Sequence, residues 1–321
     1  MIVSDQAINP DFSEYEYFKE PQLTRRKATY SELALKSVEP IESTNVAWAE
    51  FVQVTEALER IYTHSSRGSD RPYGLCIHGP NLTGKWTAVE YFYRTHVSRE
   101  LFAAKQFDIV MVRAIRSGRA EPLLSALLRH YGYPIKVIGP GSIEARINVV
   151  LAAIEQKKTK VICIRNADNL LVPAGMTSGF ASSATDVLTQ LMDERKIGIV
   201  LRGSDKLLAL KDVDPVFASR IQTYERLGNF RALQSWLAFV KAFFDKSNRF
   251  DFGFFWEEGQ PENLHTVCSG NPGLFKMFIV ECALCAADRG SREITLEDVK
   301  KAFRALFGSS TPMVNPYENA R

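Results

Sequence analysis

The strongest constraint on the fold is an alternation of short apolar runs with helical segments between residues 73 and 227. Segments of helical spacing, such as WTAVEYFYRTHVSREL and SIEARINVVLAAIEQ, separate these runs. Strands that are apolar throughout and separated by helices indicate a parallel sheet covered on both faces. The sequence therefore predicts an α/β parallel-sheet domain, with strands at YGLCIHG (73–79), FDIVMVRA (107–114), KVICIRNA (160–167) and IGIVLRG (197–203), and a candidate fifth at TYERL (223–227).

The pattern changes on both sides of this region. After residue 228 the strands stop and three amphipathic helices follow, the last opened by a capping box of Thr295 and Asp298. The first forty-odd residues have weak periodicity and several prolines, which is typical of an extended arm or partner-binding segment. We therefore predict an N-terminal arm (1–44), an α/β nucleotide-binding-type domain (45–228), a helical lid (229–308) and a tail (309–321).

Composition excludes some classes of protein. The 40 Lys and Arg against 37 Asp and Glu give a net charge of +3, too small for bulk charge to indicate a nucleic-acid partner. Neither a signal peptide nor a membrane-spanning run is predicted, so we expect a cytoplasmic protein with no membrane partner. Cys282 and Cys285 form a C-x-x-C within a helical apolar run, which favours core packing over a metal site, and no metal is predicted.

The stretch HGPNLTGKWT (78–87) has the G-x-x-x-x-G-K spacing of a phosphate-binding loop. It lies between a predicted strand and a predicted helix, where backbone N–H groups and the helix N-terminus can bind phosphate oxygens while a lysine neutralises their charge. The candidate nucleotide-binding residues here are Gly79, Asn81, Thr83, Gly84, Lys85, Trp86 and Thr87.

Trp86 departs from the usual pattern of this loop. A Ser or Thr hydroxyl after the lysine normally binds Mg²⁺, whereas an indole offers one N–H donor and no oxygen ligand. Thr87 does not simply replace it, because one residue along a helix rotates the side chain by about 100°. The sequence therefore predicts that a metal would lose an inner ligand.

The end of the third strand departs in a related way. ATPases with this loop need an Asp near Mg²⁺, usually followed by a Glu that orients the attacking water, but here Arg165 and Asn166 occupy these positions. Arg165 would repel Mg²⁺, and Asn166 cannot accept a proton from water. A three-residue shift in register would bring Asp168 to the site, although Asp168 can also be explained as a helix N-cap before NLLV.

Taken together, residues 45 to 307 resemble the AAA+ ATPases that regulate transposons, the TnsC, TniB and MuB group. The phosphate loop contributes to the resemblance. So do four further stretches, EPLLSALLRHYGYP, ICIRNADNLL, IGIVLRGSDKLLALKDVDPVFASRI and the lid segment CSGNPGLFKMFIVECALCAADRGSREITLEDVKKAF.

The resemblance implies roles for single residues. Lys85 would be the Walker A lysine, Ser204 the sensor-one residue that joins the nucleotide-binding set, and Arg220 an arginine finger that reaches a neighbouring subunit. The sensor-two arginine has no clear match, since Gly273 occupies that place and Lys276 lies one turn on. Structural explanations remain open, because Arg220 can be a solvated cation at a helix end and Ser204 can cap the next turn.

The resemblance also implies a function. Members form ATP-dependent assemblies on DNA and connect target-selector proteins to the transposase, so we expect a homo-oligomer, or a hetero-oligomer with an active AAA+ paralogue. ATP is the implied cofactor, whereas Arg165, Asn166 and Trp86 argue against Mg²⁺ and against ATP hydrolysis. Candidate DNA contacts are Arg113, Arg116, Arg119, Lys157 and Lys158, with Lys160 beside them.

Three functions stay open from the sequence. The first is an adaptor of DNA transposition that does not hydrolyse ATP. The second is an active ATP-dependent DNA-binding ATPase with a non-standard site, in which Arg165 contacts phosphates in place of Mg²⁺. The third is a scaffold or DNA-binding protein that has lost nucleotide, with Trp86 filling the pocket.

Overall fold

The computed structural model describes residues 23–68, 73–97, 107–133, 142–171, 183–308 and 314–318. These residues form two compact units. Of the described residues, Ala49–Asn81 and Lys85–Leu227 belong to the first unit. Residues 23–48, the short stretch Leu82–Gly84 and those from Gly228 onward belong to the second.

A parallel sheet of five strands forms the centre of the first unit, in the order β2-β3-β4-β1-β5. All four pairings between neighbouring strands are parallel, as apolar runs joined by helices require. Both the predicted parallel sheet and its fifth strand are confirmed. The strands are β1 (Gly74–His78), β2 (Ile109–Arg113), β3 (Val161–Arg165), β4 (Gly198–Arg202) and β5 (Ile221–Arg226).

Helices pack on this sheet and bury its apolar residues in a core that includes Ile162, Ile164, Leu124 and Leu188. Ser183 caps one of these helices, since its hydroxyl oxygen accepts from the backbone of Asp186. The helices of this unit are Ala49–Ser66, Lys85–Val97, Ala120–His130, Ile143–Lys157, Ala184–Arg195, Leu210–Val213 and Pro215–Ala218, with 3₁₀ turns at Ala167–Leu170 and Asp205–Ala209.

The second unit is helical among its described residues, as the lid prediction expected. Trp236 and Phe275 are fully buried in its core, with ring centroids 5.3 Å apart. The predicted capping box is confirmed, because the backbone N–H and the hydroxyl of Thr295 both donate to Asp298. Its helices are Glu32–Ser43, Leu233–Lys246, Gln260–Cys268, Pro272–Asp288 and Leu296–Phe307, of which the first and third are additional to the prediction.

The N-terminal segment differs from the predicted extended arm. Residues 23–29 are helical, and the helix Glu32–Ser43 buries Ala34, Val38 and Ile41 in the core of the second unit. The prediction is therefore wrong for these parts of the arm. A short amphipathic helix interrupted by Pro40 gave too weak a periodic signal to be recognised. The rest of the predicted arm, residues 1–22, and parts of the predicted tail, 309–313 and 319–321, lie outside the described residues.

Within the described ranges, every helix is too short or too polar to cross a membrane.

Candidate phosphate-binding site

Two glycines set the path of the phosphate loop. Gly79 follows β1 with φ of 133°, and Gly84 precedes the helix Lys85–Val97 with φ of 84°. A Cβ at Gly79 would lie 2.0 Å from the carbonyl oxygen of Leu227, so any side chain there would force the backbone to move. The sequence spacing therefore corresponds to a turn that needs glycine at both ends.

Lys85 is the first residue of that helix, and 3% of its surface is exposed. Its Nζ donates to the carbonyl oxygens of Gly79, at 2.7 Å, and of Pro80. Burial, together with the nearby Arg202 guanidinium, lowers the pKa of Lys85 to about 8. The lysine is thus held inside its own loop, as a phosphate ligand at a helix N-terminus requires.

Trp86 and Arg165 are in direct contact. The guanidinium carbon of Arg165 lies 4.1 Å from the centroid of the Trp86 ring, and both residues are at most 6% exposed. A guanidinium over an indole face is a cation–π contact, worth about 2 kcal/mol when desolvated. The two departures seen in the sequence are therefore a single physical feature.

This donor set does not suit Mg²⁺. The ion needs oxygen ligands in near-octahedral geometry, and a guanidinium stacked on an indole provides only N–H donors and a positive charge. The residues at this position therefore do not fit a Mg²⁺ ion.

Asp168, an acidic residue that follows β3, has another role. It lies in the 3₁₀ turn Ala167–Leu170, three residues beyond the end of β3. Its carboxylate accepts from the backbone N–H of Ser204 at 2.9 and 3.0 Å and from the Ser204 hydroxyl at 2.9 Å. A Cβ at Gly203 would lie 2.7 Å from this carboxylate, so the glycine permits the close approach.

These contacts correct two expectations for Asp168. Arg165 is the last residue of β3, paired in register with Arg113 of β2, so the three-residue shift does not occur. Asn166, in left-handed conformation with φ of 52°, occupies the N-cap position of the turn, so the expectation that Asp168 caps a helix is wrong. Ser204 itself also caps the turn Asp205–Ala209, accepting from Lys206 at 3.2 Å. Its sensor-one role stays a prediction.

A basic residue ends every one of the five strands. Arg165 on β3 and Arg202 on β4 each come one residue after the last registered pair, Ile164 with Leu201, so they lie side by side at the carboxyl edge. Sequence reasoning singled out only Arg113 and Arg165. Aligning the ends of the apolar runs would have revealed the whole set, which is His78, Arg113, Arg165, Arg202 and Arg226.

His78 and Arg226 meet Asp205. The His78 ring Nδ1 lies 2.7 Å from one carboxylate oxygen, and the Arg226 guanidinium lies 3.4 Å from the other. The hydrogen bond with His78 contributes most to lowering the pKa of Asp205. The carboxylate of Asp205 thus contacts the residues that end β1 and β5.

Arg220 forms an ion pair within its own chain. Its guanidinium donates to both carboxylate oxygens of Asp193, at 2.9 and 2.6 Å, and to the carbonyl oxygen of Val216. The pair raises the pKa of Arg220 and lowers that of Asp193, mainly through the hydrogen bond between them. The bond to Val216 fits the expected cation at a helix end, and the role as an arginine finger stays a prediction.

The second unit supplies the region expected to hold sensor two. The backbone N–H of Gly273 donates to the carbonyl oxygen of Leu82 at 2.9 Å, and a Cβ on this glycine would lie 2.3 Å from the same oxygen. Lys276 donates to the carbonyl oxygen of Thr44 at 2.8 Å. The absence of a side chain at Gly273 therefore allows its backbone to approach that of Leu82 closely. Lys276 binds a backbone carbonyl of its own unit.

The candidate DNA contacts lie at opposite edges of the sheet. Arg113, Arg116 and Arg119 are exposed and follow the carboxyl end of β2. Lys157 and Lys158 end the helix before β3 and so lie near its amino end. Because these strands are parallel, the structure does not bring the two groups into one cluster. Lys160 instead forms an ion pair with Asp108 at 2.8 Å.

Comparison with known families shows to which protein family the chain belongs. A family model described as "Bacterial TniB protein" matches residues 41–229, more than half of the chain. The chain belongs to this family. The resemblance to AAA+ regulators of transposition is thereby confirmed, and the match spans the phosphate loop, all four strand-end arginines and Arg220.

Solved structures show the same fold in this TniB-family chain. It is similar to the structure titled Cdc6p from Pyrobaculum aerophilum, with a TM-score of 0.60 and 13% identity, covering 83% of this chain and 70% of that one. The Aeropyrum pernix ORC1 protein in complex with DNA gives a TM-score of 0.59 and 13% identity, covering 83% and 67%. The Aeropyrum pernix ORC2 protein, in ADPNP-ADP complexes, gives 0.56 and 16%, covering 81% and 68%.

At these identities the likeness shows the fold alone. It confirms the predicted parallel-sheet AAA+ fold of the phosphate-loop class. No curated protein matches the chain significantly. The roles of single residues in the site therefore stay predictions.

Proposed function

We propose that this TniB-family chain is an AAA+ adaptor of DNA transposition that connects target-site selection to the transposase without hydrolysing ATP. The family supports the connection with transposition. One observation carries the proposal that hydrolysis is absent, namely the Arg165 guanidinium stacked on the Trp86 indole.

Hydrolysis of ATP in this fold needs two things that the contact works against. A metal ion must neutralise the phosphates, and a carboxylate must orient the attacking water. The stacked pair places a positive charge and an aromatic ring beside the loop, and Asn166 offers an amide in place of a carboxylate. In this proposal the AAA+ fold is retained because it supports assembly with other molecules, and not because it hydrolyses ATP.

In this proposal ATP is a ligand rather than a substrate. Gly79, Gly84 and Lys85 would hold its phosphates, since the loop turns and the lysine lies as such a site requires. Bound nucleotide would supply negative charge that orders the loop.

DNA and oligomer formation complete the proposal. The Aeropyrum pernix ORC1 and Drosophila ORC structures of the same fold are titled as bound to DNA, which supports a DNA partner here. An exposed apolar group, Leu208, Val213 and Val216, precedes Arg220 and offers a surface for another AAA+ subunit. We propose an assembly with copies of this chain or with an active AAA+ paralogue.

Transposition of a marked element, measured in cells beside phosphate release by the purified protein with DNA, tests the proposal. We expect transposition to depend on the chain, while phosphate release stays at the level of a Lys85→Ala control. Steady phosphate release that Lys85→Ala abolishes would show an active ATPase.

Arg220 gives a sharper form of the proposal. We propose that it leaves Asp193 and completes the nucleotide site of an active partner subunit. Arg220→Ala should then lower the partner's ATPase at least tenfold, while Asp193→Asn, which frees the guanidinium, should not. If Arg220→Ala leaves the partner's ATPase and assembly unchanged, this form of the proposal is lost.

A further inference from the structure

An aromatic side chain attaches the C-terminal tail of the chain to the second unit. Tyr317 is fully buried in the core of that unit, although Val314, three residues earlier, is 83% exposed. The Tyr317 ring stacks on Phe278, with ring centroids 6.1 Å apart and 20° between the planes, and its centroid lies 6.2 Å from that of Phe254. We call the place that Tyr317 occupies beside Phe254 and Phe278 the aromatic socket.

The other contacts of the tail are local or exposed. Within the described residues, the backbone N–H of Tyr317 donates to the side-chain oxygen of Asn315 at 3.1 Å, and the N–H of Glu318 donates to the Asn315 carbonyl oxygen at 3.2 Å. These two bonds close a turn through Pro316, whose fixed φ favours this geometry. The Glu318 carboxylate also pairs with Arg304 at 2.8 Å, but both side chains are more than half exposed, so water screens the pair. The tail therefore carries its own turn and depends on Tyr317 for its attachment.

The socket does not match the hydroxyl of Tyr317. This oxygen is buried, and no hydrogen-bond partner for it lies among the described residues. Burial also raises the pKa of Tyr317, as expected when a hydroxyl is removed from water. Removing an unpaired hydroxyl from water costs free energy that a phenylalanine ring would not cost. The tail is thus held in the socket less tightly than its ring alone would be.

We propose that the aromatic socket binds the C-terminal tail of a second copy of this chain, so that neighbouring copies exchange tails. The exchange rests on the proposed function, because it needs copies of the chain side by side. A second copy carries the same turn and the same tyrosine, so its tail makes the same contacts in the socket as the chain's own tail. Residues 309–313 join the last helix to the tail and can span about 20 Å when fully extended. A neighbour within that reach presents its tail at a high effective concentration, which lowers the free-energy cost of exchange.

Cross-linking measures the exchange in an equal mixture of unlabelled and isotopically labelled full-length chains that carry Arg304→Lys. A carbodiimide joins the introduced lysine to Glu318, and mass spectrometry shows whether both halves of the product carry the same isotope. We expect products of mixed isotope in the assembled protein and products of a single isotope in dilute monomer, with light scattering on the same samples to report assembly. The matched control adds Tyr317→Ala, which should lower cross-linking of both kinds at least tenfold.

A peptide of residues 309–321 tests the socket without the assembly. Fluorescence anisotropy follows its binding to the full-length Tyr317→Ala chain, in which the socket lacks its own ring. We expect this variant to bind the peptide at least tenfold more tightly than the wild-type chain, whose own tail competes. A peptide with Tyr317→Phe should bind about fivefold more tightly still, because it buries no hydroxyl, and a peptide with Tyr317→Ala at least tenfold more weakly. Thermal unfolding establishes that the variant is folded; if it is not, the cross-linking of Arg304→Lys alone decides.

Three results would overturn the inference. They are products of a single isotope alone in the assembled protein, no binding of the peptide to folded Tyr317→Ala, and a chain that stays monomeric with DNA and nucleotide at every concentration. The first two leave the adaptor proposal standing, since transposition and phosphate release of the wild-type chain decide it. The third would also remove the proposed assembly of like copies.

Discussion

Two charged clusters in this molecule are built on opposite principles. In the second unit, the carboxylate of Glu281 is fully buried and accepts from Arg25 at 2.8 Å, Arg26 at 3.2 Å and Tyr30 at 2.8 Å. In the first unit, Arg165 and Arg202 end neighbouring strands, and the charge of Arg202 acts on Lys85.

The difference separates a structural cluster from the proposed phosphate-binding site. The cations around Glu281 are matched to a carboxylate, and Arg26 also reaches Glu42 at 2.7 Å. At the sheet edge, the Arg165 guanidinium contacts the Trp86 ring, and Lys85 donates to the carbonyl oxygen of Gly79. Substitutions in the two clusters test this contrast.

Removing the buried carboxylate should have the largest effect. Glu281→Gln keeps the shape of the side chain but leaves the buried Arg26 with only the partly exposed Glu42 as counter-charge, so unfolding free energy should fall by about 3–5 kcal/mol. Urea denaturation measures the change. Glu32→Gln, which loses only the exposed pair with Lys36, should change it by about 0.5 kcal/mol or less. Equal effects of the two variants would contradict the structural role of Glu281.

For Lys85 we expect the opposite sign, because loss of its positive charge should raise the unfolding free energy. Its pKa of about 8 lies below the value of 10.5 for a free lysine, so the folded state bears the cost of the charged form below pH 8. As pH rises from about 8 to 10.5, the folded chain loses this proton before the unfolded chain does, and stability rises by about 3 kcal/mol at most.

Comparison with Lys85→Met isolates this effect, since other groups titrate equally in both proteins. The unfolding free energy of the variant minus that of wild type should be highest below pH 8 and should decline toward pH 10.5. Urea denaturation across that pH range measures this difference. A difference that is independent of pH would show that Lys85 carries no such cost.

The Trp86 and Arg165 contact should contribute less. A double-mutant cycle with Trp86→Leu and Arg165→Met should give a coupling free energy of about 2 kcal/mol, because each substitution removes one half of the cation–π pair. Trp86→Phe should retain part of it. Additive effects of the two substitutions would mean that the contact contributes nothing.

The smallest effect on stability is expected for Arg220 and Asp193. The Asp193 side chain is 42% exposed, so water screens the pair, and Asp193→Asn should lower unfolding free energy by about 1 kcal/mol or less. The pair should also keep Asp193 ionised to lower pH than a free carboxyl, which nuclear magnetic resonance titration can follow. A large loss of stability would argue that Arg220 is structural and not available to a partner.

The sheet could be predicted because each strand is an apolar run and each connection a helix. Core burial of whole runs such as Val161 to Ile164 leaves a signal that is local in sequence. The helix Glu32–Ser43 could not be predicted, because the spacing of its three buried residues is explained only by their packing in the core of the second unit. Gln260–Cys268 was missed for a similar reason, being short and weakly amphipathic.

The site could be predicted in its parts but not in its contacts. The sequence placed Trp86 and Arg165 in the two motifs that normally bind metal, yet their stacking depends on how helix Lys85–Val97 packs against β3. The place of Arg202 cannot be read from the sequence because it depends on strand order, which puts β4 beside β1 although β1 ends at residue 78 and β4 begins at residue 198. The bond of Asp168 to Ser204 likewise joins residues 36 apart.

The most direct test of the central claim is the effect of Mg²⁺ on ATP affinity, measured as the dissociation constant of the wild-type chain in EDTA and in excess Mg²⁺. If the stacked Trp86 and Arg165 stand where metal ligands would lie, ATP should bind at least as tightly in EDTA as with Mg²⁺. An affinity that Mg²⁺ raises tenfold or more would contradict the account.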